Sequence, residues 1–98
     1  MRGFLSFTIL WILRKKDMYG QELAEELEKM RGTKPNPGTI YPALKELEIQ
    51  GFVEARKEGR KKIYKLTEAG HAGAIEACEY FCSVFGDVFR EYNELKLN

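Results

Sequence analysis

Residues that carry metal, redox or nucleophilic chemistry are scarce in this sequence of 98 residues. It has two cysteines and one histidine, too few for a disulfide framework. Cys78 and Cys82 share one helical face without a basic residue or histidine beside them, so we interpret them as small buried apolar side chains. His71 has no nucleophile arrangement around it in the sequence. The composition therefore indicates no enzyme, no bound metal and no cofactor.

Long hydrophobic runs are also lacking. The apolar stretch Phe4–Leu13 is too short to cross a bilayer. Arg14-Lys15-Lys16-Asp17 follows directly, without the small-residue cleavage site of a signal peptide. Hydrophobic residues make up 44% and charged residues 32% of the chain, which suits one soluble globular domain. We therefore expect a cytoplasmic protein with no membrane partner.

An excess of charge of one sign is lacking as well, since the formal net charge is only +1. The net charge gives no support for a nucleic-acid partner, but the distribution of charge along the chain supports one. Residues 56–65 carry six basic groups and one acidic group, whereas residues 66–98 carry two basic and six acidic groups. Positive charge is therefore concentrated in one short segment, and the C-terminal segment is acidic.

One stretch near the middle of the chain has the signals of a helix start. Asn36 and Thr39 can accept hydrogen bonds from the free N–H groups of a first turn, and Pro37-Gly38 favours a turn before it. Pro42 would break a helix interior. We therefore expect the helix to begin near Thr39, because the first N–H groups of a helix have no partner to lose.

Gly51 marks the end of this central helix, because glycine suits the left-handed position that follows a last turn. Ile40, Leu44 and Leu47 recur at the spacing of one buried stripe. The opposite face presents side chains that are free to contact a partner, namely Thr39, Tyr41, Pro42, Lys45 and Glu46.

Two basic strands follow the central helix. The stretches Phe52–Lys57 and Arg60–Leu66 have the composition of antiparallel strands around the tight-turn dipeptide Glu58-Gly59. A short amphipathic helix followed by a basic hairpin is typical of a winged helix-turn-helix, in which the helix enters a major groove and the hairpin lies on flanking backbone. The alternative for Arg60-Lys61-Lys62 is a solvated hairpin tip whose charges protect an edge strand.

The first predicted helix, Gly3–Lys15, is apolar nearly all round. Because one small core can hardly cover such a helix, we infer that part of its surface meets a second subunit. After a break, a second helix runs from Gly20 to Met30 and turns Leu23, Leu27 and Met30 inward. Its glutamates form a solvated face, which argues against phosphate contact by this helix.

A last helix, with Thr67 as its N-cap, is predicted to extend to about Leu97. About 30 residues at 1.5 Å each span about 45 Å, which exceeds a compact domain with a radius of gyration of about 13 Å. Burial against a second copy would cover its aromatic face, so we expect a homodimer. The residues expected at the dimer interface lie on the first and last helices: Phe4, Trp11, Ile75, Cys78, Phe81, Cys82, Phe85, Phe89 and Tyr92.

These elements predict a mainly α fold with a small β-hairpin, a winged helix-turn-helix plus a long C-terminal dimerisation helix. We assign residues 1–66 to the DNA-binding domain and residues 67–98 to the dimerisation helix, both within one compact unit.

The sequence resembles the PadR family of winged-helix transcriptional regulators over nearly the whole chain. The likeness is strongest over Gly38–Leu47 with Gly51–Val53, and it continues through Arg60–Gly70. The single C-terminal helix resembles the short PadR subclass, in which one helix makes the dimer. The resemblance implies that Tyr41 and its neighbours lie at the DNA face and that the hairpin is the wing. The chain departs from the family at Gly20-Gln21, where the family often has Gly-Tyr.

We predict a repressor that binds a pseudo-palindromic duplex with half-sites about 34–36 Å apart. The residues expected to contact DNA precede the central helix, lie on it or belong to the hairpin: Lys34, Asn36, Thr39, Tyr41, Pro42, Lys45, Arg60, Lys61 and Lys62. A rival hypothesis is a winged-helix dimer that serves as a protein–protein interaction module without DNA binding. The acidic second helix and the low net charge support that rival.

Trp11 and Phe7 are candidates for lining a pocket for a small hydrophobic or aromatic effector at the dimer interface. The alternative is plain interface core, since aromatic residues at helical spacing usually pack against one another. A phenolic acid, a cationic drug and no ligand at all are equally compatible with an apolar dimer interface.

Overall fold

The computed structural model describes residues 2–97, within which it has four helices and three short strands. In chain order the elements are α1 (Arg2–Leu13), β1 (Met18–Tyr19), α2 (Gly20–Arg31), α3 (Pro37–Ile49), β2 (Val53–Glu58), β3 (Lys61–Leu66) and α4 (Glu68–Leu97). The predicted fold class is confirmed, because this is a mainly helical winged helix-turn-helix with a long C-terminal helix.

The sheet has one more strand than the sequence predicted. Its order is β1-β3-β2, and both pairings are antiparallel. β1 occupies the segment predicted as a break and pairs Met18 with Tyr64. A strand of two residues has too little alternation to be recognised in a sequence. Its existence depends on a partner strand far along the chain.

The wing is the hairpin of β2 and β3, closed by the two-residue turn Gly59-Arg60. Glu58 pairs with Lys61 across this turn, so the turn predicted at Glu58-Gly59 was wrong by one residue. Gly59 has φ of 64°, whereas no described non-glycine residue has a positive φ. A glycine with positive φ at the first central position is the requirement of a type II′ turn. Gly59 therefore sets the register of the wing.

The core lies between the first three helices and the inner side of the sheet. Ile40, Leu44 and Leu47 are all at most 2% exposed, which confirms the stripe predicted for the central helix. Other large side chains that are fully buried come from α1, α2 and β2: Ile9, Leu23, Leu27 and Val53. The core therefore fixes which face of α3 points outward.

The last turn of α2 departs from the prediction. Met30 is 50% exposed, so its assignment to the core was wrong. The buried face of α2 includes Gly20, Leu23 and Leu27. Met30 lies three residues after Leu27 and keeps the spacing of the stripe, but it belongs to the last turn of α2 and borders a surface groove beside Met18 and Lys29.

α3 begins two residues earlier than predicted, at Pro37. Asn36 is its N-cap, and the Asn36 carbonyl accepts the backbone N–H of Thr39 at 2.9 Å. Proline suits the first helical position, because its φ is already helical and its missing N–H has no intrahelical role there. Pro42 therefore lies inside the helix. It leaves the carbonyl of Gly38, four residues earlier, without the usual donor.

α4 begins with the predicted N-cap. The Thr67 hydroxyl accepts the N–H of Gly70 at 3.0 Å and donates to the carbonyl of Gly51 at 2.6 Å. A Cβ atom on Gly70 would clash with the carbonyl oxygen of Phe52. The first turn of α4 therefore packs directly on the backbone that follows α3. Beyond Ala74 no described side chain of α4 is fully buried, and the molecule measures 56 × 27 × 21 Å.

Candidate nucleic-acid interface

A groove of about 520 Å³ opens between the start of α2, the exposed face of α3 and the wing. We call it the reading groove. Its lining comprises three tyrosines, two small or amide residues and five charged residues, namely Tyr19, Gly20, Gln21, Tyr41, Lys45, Glu48, Arg60, Lys61, Lys62 and Tyr64. The groove brings together parts of the chain that are distant in sequence, because β3 pairs with both β1 and β2.

Positive charge converges on the reading groove. Lys45 comes from the middle of α3, and Arg60, Lys61 and Lys62 come from the turn and the first residues of β3. All four side chains are exposed. Glu48 is the one acidic residue of the lining. With four cations against one carboxylate, the groove has the electrostatic character of a phosphate-binding surface.

The other side chains predicted to contact DNA lie outside the lining of the groove. Lys34 and Asn36 are exposed in the segment before α3, and Thr39 and Pro42 are exposed in its first turns. The Thr39 hydroxyl donates a hydrogen bond to Asn36 Oδ1 at 3.2 Å. These four residues extend the exposed face of α3 toward its N-terminus. They therefore form a second group, apart from the cations that line the reading groove.

Tyr41 is accommodated at the start of α2 by a glycine. A Cβ atom on Gly20 would lie 2.7 Å from the Tyr41 hydroxyl oxygen, so a larger residue would displace the ring. Tyr41 remains 47% exposed and lines the groove. Gln21, where the chain departs from the PadR pattern, is exposed in the same lining.

Sequence reasoning missed half of the groove lining, namely Tyr19, Gly20, Gln21, Glu48 and Tyr64. Tyr19 joins the lining because β1 pairs with β3, a pairing that no local pattern indicated. In the sequence, the one sign that the start of α2 belongs to the site was the departure from the family pattern at Gly20-Gln21. Tyr64 is 6% exposed, and its burial raises the pKa of its phenol, with smaller contributions from Tyr41 and Glu48.

A hydrogen bond from β1 fastens the end of β2. The Tyr19 hydroxyl donates to Glu58 Oε2 at 2.7 Å, and Arg56 Nη2 lies 3.5 Å from Glu58 Oε1. The bond from Tyr19 lowers the pKa of the Glu58 carboxyl, and the Arg56 cation adds to this. The same bond raises the pKa of the Tyr19 phenol. The pair therefore stays a phenol and a carboxylate across neutral pH.

α1 and α4 are joined by an aromatic cluster. The ring centroid of Phe81 lies 4.8 Å from that of Phe7, 5.5 Å from that of Phe85 and 6.0 Å from that of Phe4. The Phe7 and Trp11 centroids are 5.9 Å apart. The two candidate effector residues, Trp11 and Phe7, are half-buried and lie among residues predicted for the dimer interface.

In the described part of the chain, several large apolar side chains of α4 are exposed. Ala74 is its last buried residue, and Ile75, Phe89 and Tyr92 are 48%, 64% and 57% exposed. A contiguous apolar strip of this kind is typical of an interaction surface. Within residues 2–97, none of the helices combines the length and the hydropathy needed to cross a bilayer.

The two cysteines lie on α4, where Cys78 is half-buried and Cys82 is exposed. Neither is fully buried within the single chain, so their burial stays a prediction about the dimer. Partial burial raises the pKa of the Cys78 thiol, and a hydrogen bond with Cys82 adds to this. A raised pKa disfavours the reactive thiolate. The described part of the chain has no cluster of three metal-ligating side chains.

Comparison with known proteins identifies the family. Residues 9–76 match the transcriptional regulator PadR-like family. The chain is 41% identical over 71 residues to the transcriptional regulator YqjI of Escherichia coli, covering 69% of this chain and 34% of YqjI. It is 33% identical over 60 residues to the transcriptional activator GvpE1 of Halobacterium salinarum, covering 61% of this chain and 31% of GvpE1.

The likeness extends to three dimensions. The solved structure of H. salinarum RosR aligns with a TM-score of 0.75 at 30% identity, covering 94% of this chain and 86% of that one. The chain spans about a third of the length of YqjI and of GvpE1. YqjI is named as a transcriptional regulator and GvpE1 as a transcriptional activator. Because the family match covers most of the sequence, the chain belongs to the PadR-like family of transcriptional regulators.

Proposed function

We propose that this regulator acts in the cytoplasm as a homodimer that binds duplex DNA in a sequence-specific manner. The observation that carries the proposal is the reading groove, where Lys45 of α3 and three of the cations of the wing share one opening. A helix beside a basic hairpin can enter a major groove while the hairpin follows the flanking phosphates.

Phosphate contacts and base contacts fall to different parts of the surface in this proposal. Arg60, Lys61 and Lys62 bind the backbone and fix the orientation of the protein. The face of α3 from Thr39 to Lys45 reads bases, with Tyr41 at its centre. Lys34 and Asn36 add backbone contacts at the N-terminal end of α3. Two such heads bind a pseudo-palindromic operator with half-sites about 34–36 Å apart.

Dimerisation is assigned to the apolar strip of α4 together with α1. The strip begins at Ile75 and continues through Phe81, Phe85 and Phe89 to Tyr92, and its outer residues Phe89 and Tyr92 are exposed in a single subunit. An isologous contact between two copies would bury this strip on both. Residues 1–66 would then bind DNA and residues 67–98 would hold the dimer, as the sequence predicted.

Switching by an effector would act through the same helices. The aromatic cluster around Trp11 and Phe7 joins α1 to α4, so a small apolar or aromatic ligand there would change the angle between the long helices. That angle sets the spacing of the two reading heads. Such a ligand binds only if the cluster opens between the two copies. A cluster that remains closed core would leave the protein unregulated by ligand.

Repression is the expected outcome when a bound dimer blocks the transcription machinery. The name of GvpE1 describes an activator, so activation is the second candidate. Placing the selected operator upstream of, or overlapping, a promoter in a reporter assay separates the two. Repression requires a fall in transcription on adding the protein, and activation requires a rise.

Fluorescence anisotropy with a labelled duplex pool across a salt series tests the proposal. A dimer that places three wing cations per subunit on phosphates should give a log–log salt slope of about −5. Replacing Arg60, Lys61 and Lys62 with alanine should flatten that slope to a small remainder. Operator selection would follow from the bound fraction of the pool.

The matched control replaces Lys15, Lys16 and Lys29 with alanine. These lysines line a different groove, beside Met18 and Met30, and their removal changes the net charge by the same amount. The control should keep nearly the whole slope. No binding at low salt by a folded dimer would refute DNA binding and favour the protein–protein interaction module. Equal loss in both variants would refute the assignment to the wing.

A further inference from the structure

We propose that Tyr19 is the positioning residue of the wing, and that its bond to Glu58 holds the basic turn in the orientation that binds phosphates. This inference rests on the proposed DNA binding. Tyr19 belongs to β1, the strand that the sequence did not predict, and Glu58 is the last residue of β2. The bond therefore joins the two outer strands of the sheet.

The geometry of the bond explains why it can act on the wing. The sheet order is β1-β3-β2, so the Tyr19 side chain reaches across β3 to place its hydroxyl 2.7 Å from Glu58 Oε2. The Nζ atom of Lys61, on β3, lies 5.5 Å from the centroid of the Tyr19 ring. One aromatic side chain thus contacts both strands of the hairpin beside the turn Gly59-Arg60.

Tyr19 is itself anchored at its backbone. Its N–H donates to Glu22 Oε1 at 3.0 Å, which forms part of the capping box of α2. Two ion pairs of Arg56 also connect the residues before β1 to the end of β2. Arg56 Nη1 lies 3.6 Å from Asp17 Oδ2, and Arg56 Nη2 lies 3.5 Å from Glu58 Oε1. The wing is therefore held from the start of α2, which also lines the reading groove.

The bond also controls the one negative charge beside the turn of the wing. Glu58 is the only acidic residue among residues 56–65, and it flanks the turn that carries Arg60. In the structure its two carboxylate oxygens are directed to Tyr19 and Arg56. Without the phenol, this carboxylate would be free to pair with the phosphate-binding cations Arg60 and Lys61 or to approach the phosphates. Both outcomes weaken DNA binding.

The test compares Tyr19→Phe with the matched variant Tyr80→Phe. Both remove one hydroxyl from a tyrosine, and Tyr80 is an exposed residue of α4 far along the chain from the wing. Amide hydrogen exchange and NMR shifts of Gly59, Arg60 and Lys61 are measured on the free protein. Affinity for the duplex pool is measured by anisotropy at a fixed salt concentration.

Tyr19→Phe should bind DNA about threefold to tenfold more weakly, since each of two wings loses an interaction of surface strength. The wing amides should exchange faster and shift, while Tyr80→Phe should match the wild type in both measurements. Glu58→Gln keeps an acceptor for the phenol and removes the charge, so its affinity should equal or exceed that of the wild type.

The inference would be overturned if Tyr19→Phe left the exchange rates and shifts of the wing amides unchanged. It would also be overturned if the amides changed but the affinity for DNA stayed at the wild-type value. The amide measurement needs no DNA. If the wild-type protein fails to bind any duplex while the wing amides respond to Tyr19→Phe, the DNA-binding proposal fails and the bond is still shown to position the wing.

Discussion

Replacing Gly70 with alanine should destabilise the protein, although alanine is the better helix former. In an open helical site, glycine to alanine gains about 1 kcal/mol. At position 70 the new methyl group would clash with the Phe52 carbonyl oxygen, which also accepts the N–H of Thr67 at 3.1 Å. Overpacking against backbone costs about 1–3 kcal/mol, and straining this hydrogen bond costs about 1 kcal/mol more. The net loss should be about 1–3 kcal/mol.

Gly73 provides the matched control, one turn further along the same helix. A Cβ atom there would meet its nearest neighbour, a ring carbon of Phe52, at 3.6 Å, which is ordinary van der Waals contact. Gly73→Ala should therefore stabilise the protein by up to about 1 kcal/mol. The free energies of unfolding of the two alanine variants should therefore differ by about 1–4 kcal/mol, with Gly70→Ala below the wild type and Gly73→Ala above it.

Urea and thermal unfolding followed by circular dichroism measure the difference. For a domain of this size, about 1 kcal/mol corresponds to roughly 4–8 °C in Tm. All proteins must be compared at one concentration, because subunit association would make the Tm depend on concentration. A Gly70→Ala variant as stable as Gly73→Ala would refute the packing of α4 on the backbone after α3.

Two further predictions concern the Thr67 cap and the Glu58 carboxylate. Thr67→Ala should lower the free energy of unfolding by about 0.5–2 kcal/mol, whereas Thr67→Ser, which keeps the hydroxyl, should lose much less; equal losses in urea unfolding would contradict the cap. The pKa of Glu58 is lowered from 4.5 by Tyr19, so its carboxylate stabilises the fold above about pH 4.5, and this contribution is lost as the pH falls through the lowered pKa. The stability gap between wild type and Glu58→Gln should therefore shrink on acidification, and a gap independent of pH would count against the bond.

Local patterns predicted the helices and the hairpin well, because their causes are local. The stripe of Ile40, Leu44 and Leu47 has a helical period whatever surrounds it, and all three are buried. Thr67 caps α4 through a hydroxyl three residues from its N–H partner. The turn was misplaced by one residue, since a glycine next to Glu58 fits either of two registers until strand pairing chooses one.

What the sequence could not predict depends on contacts between distant segments. β1 has two residues and exists because β3 offers it a free edge. The groove lining gained Tyr19 through that pairing. The clash that makes Gly20 necessary involves Tyr41, which lies on a different helix. The residue spacing within either helix gives no indication of a contact between the two helices. The sequence therefore predicted only those site residues that carry charge or lie on the outer face of α3.

The edge position of β1 has a consequence for the order of folding. Met18 pairs with Tyr64, and the chain between them contains α2, α3 and β2. Closing a loop of this length costs about 3 kcal/mol of chain entropy, whereas the hairpin of β2 and β3 needs only a two-residue turn. The topology therefore favours an early hairpin and a late docking of β1 once the helices have packed. Tyr19, whose side chain positions the wing, therefore belongs to one of the last segments to fold.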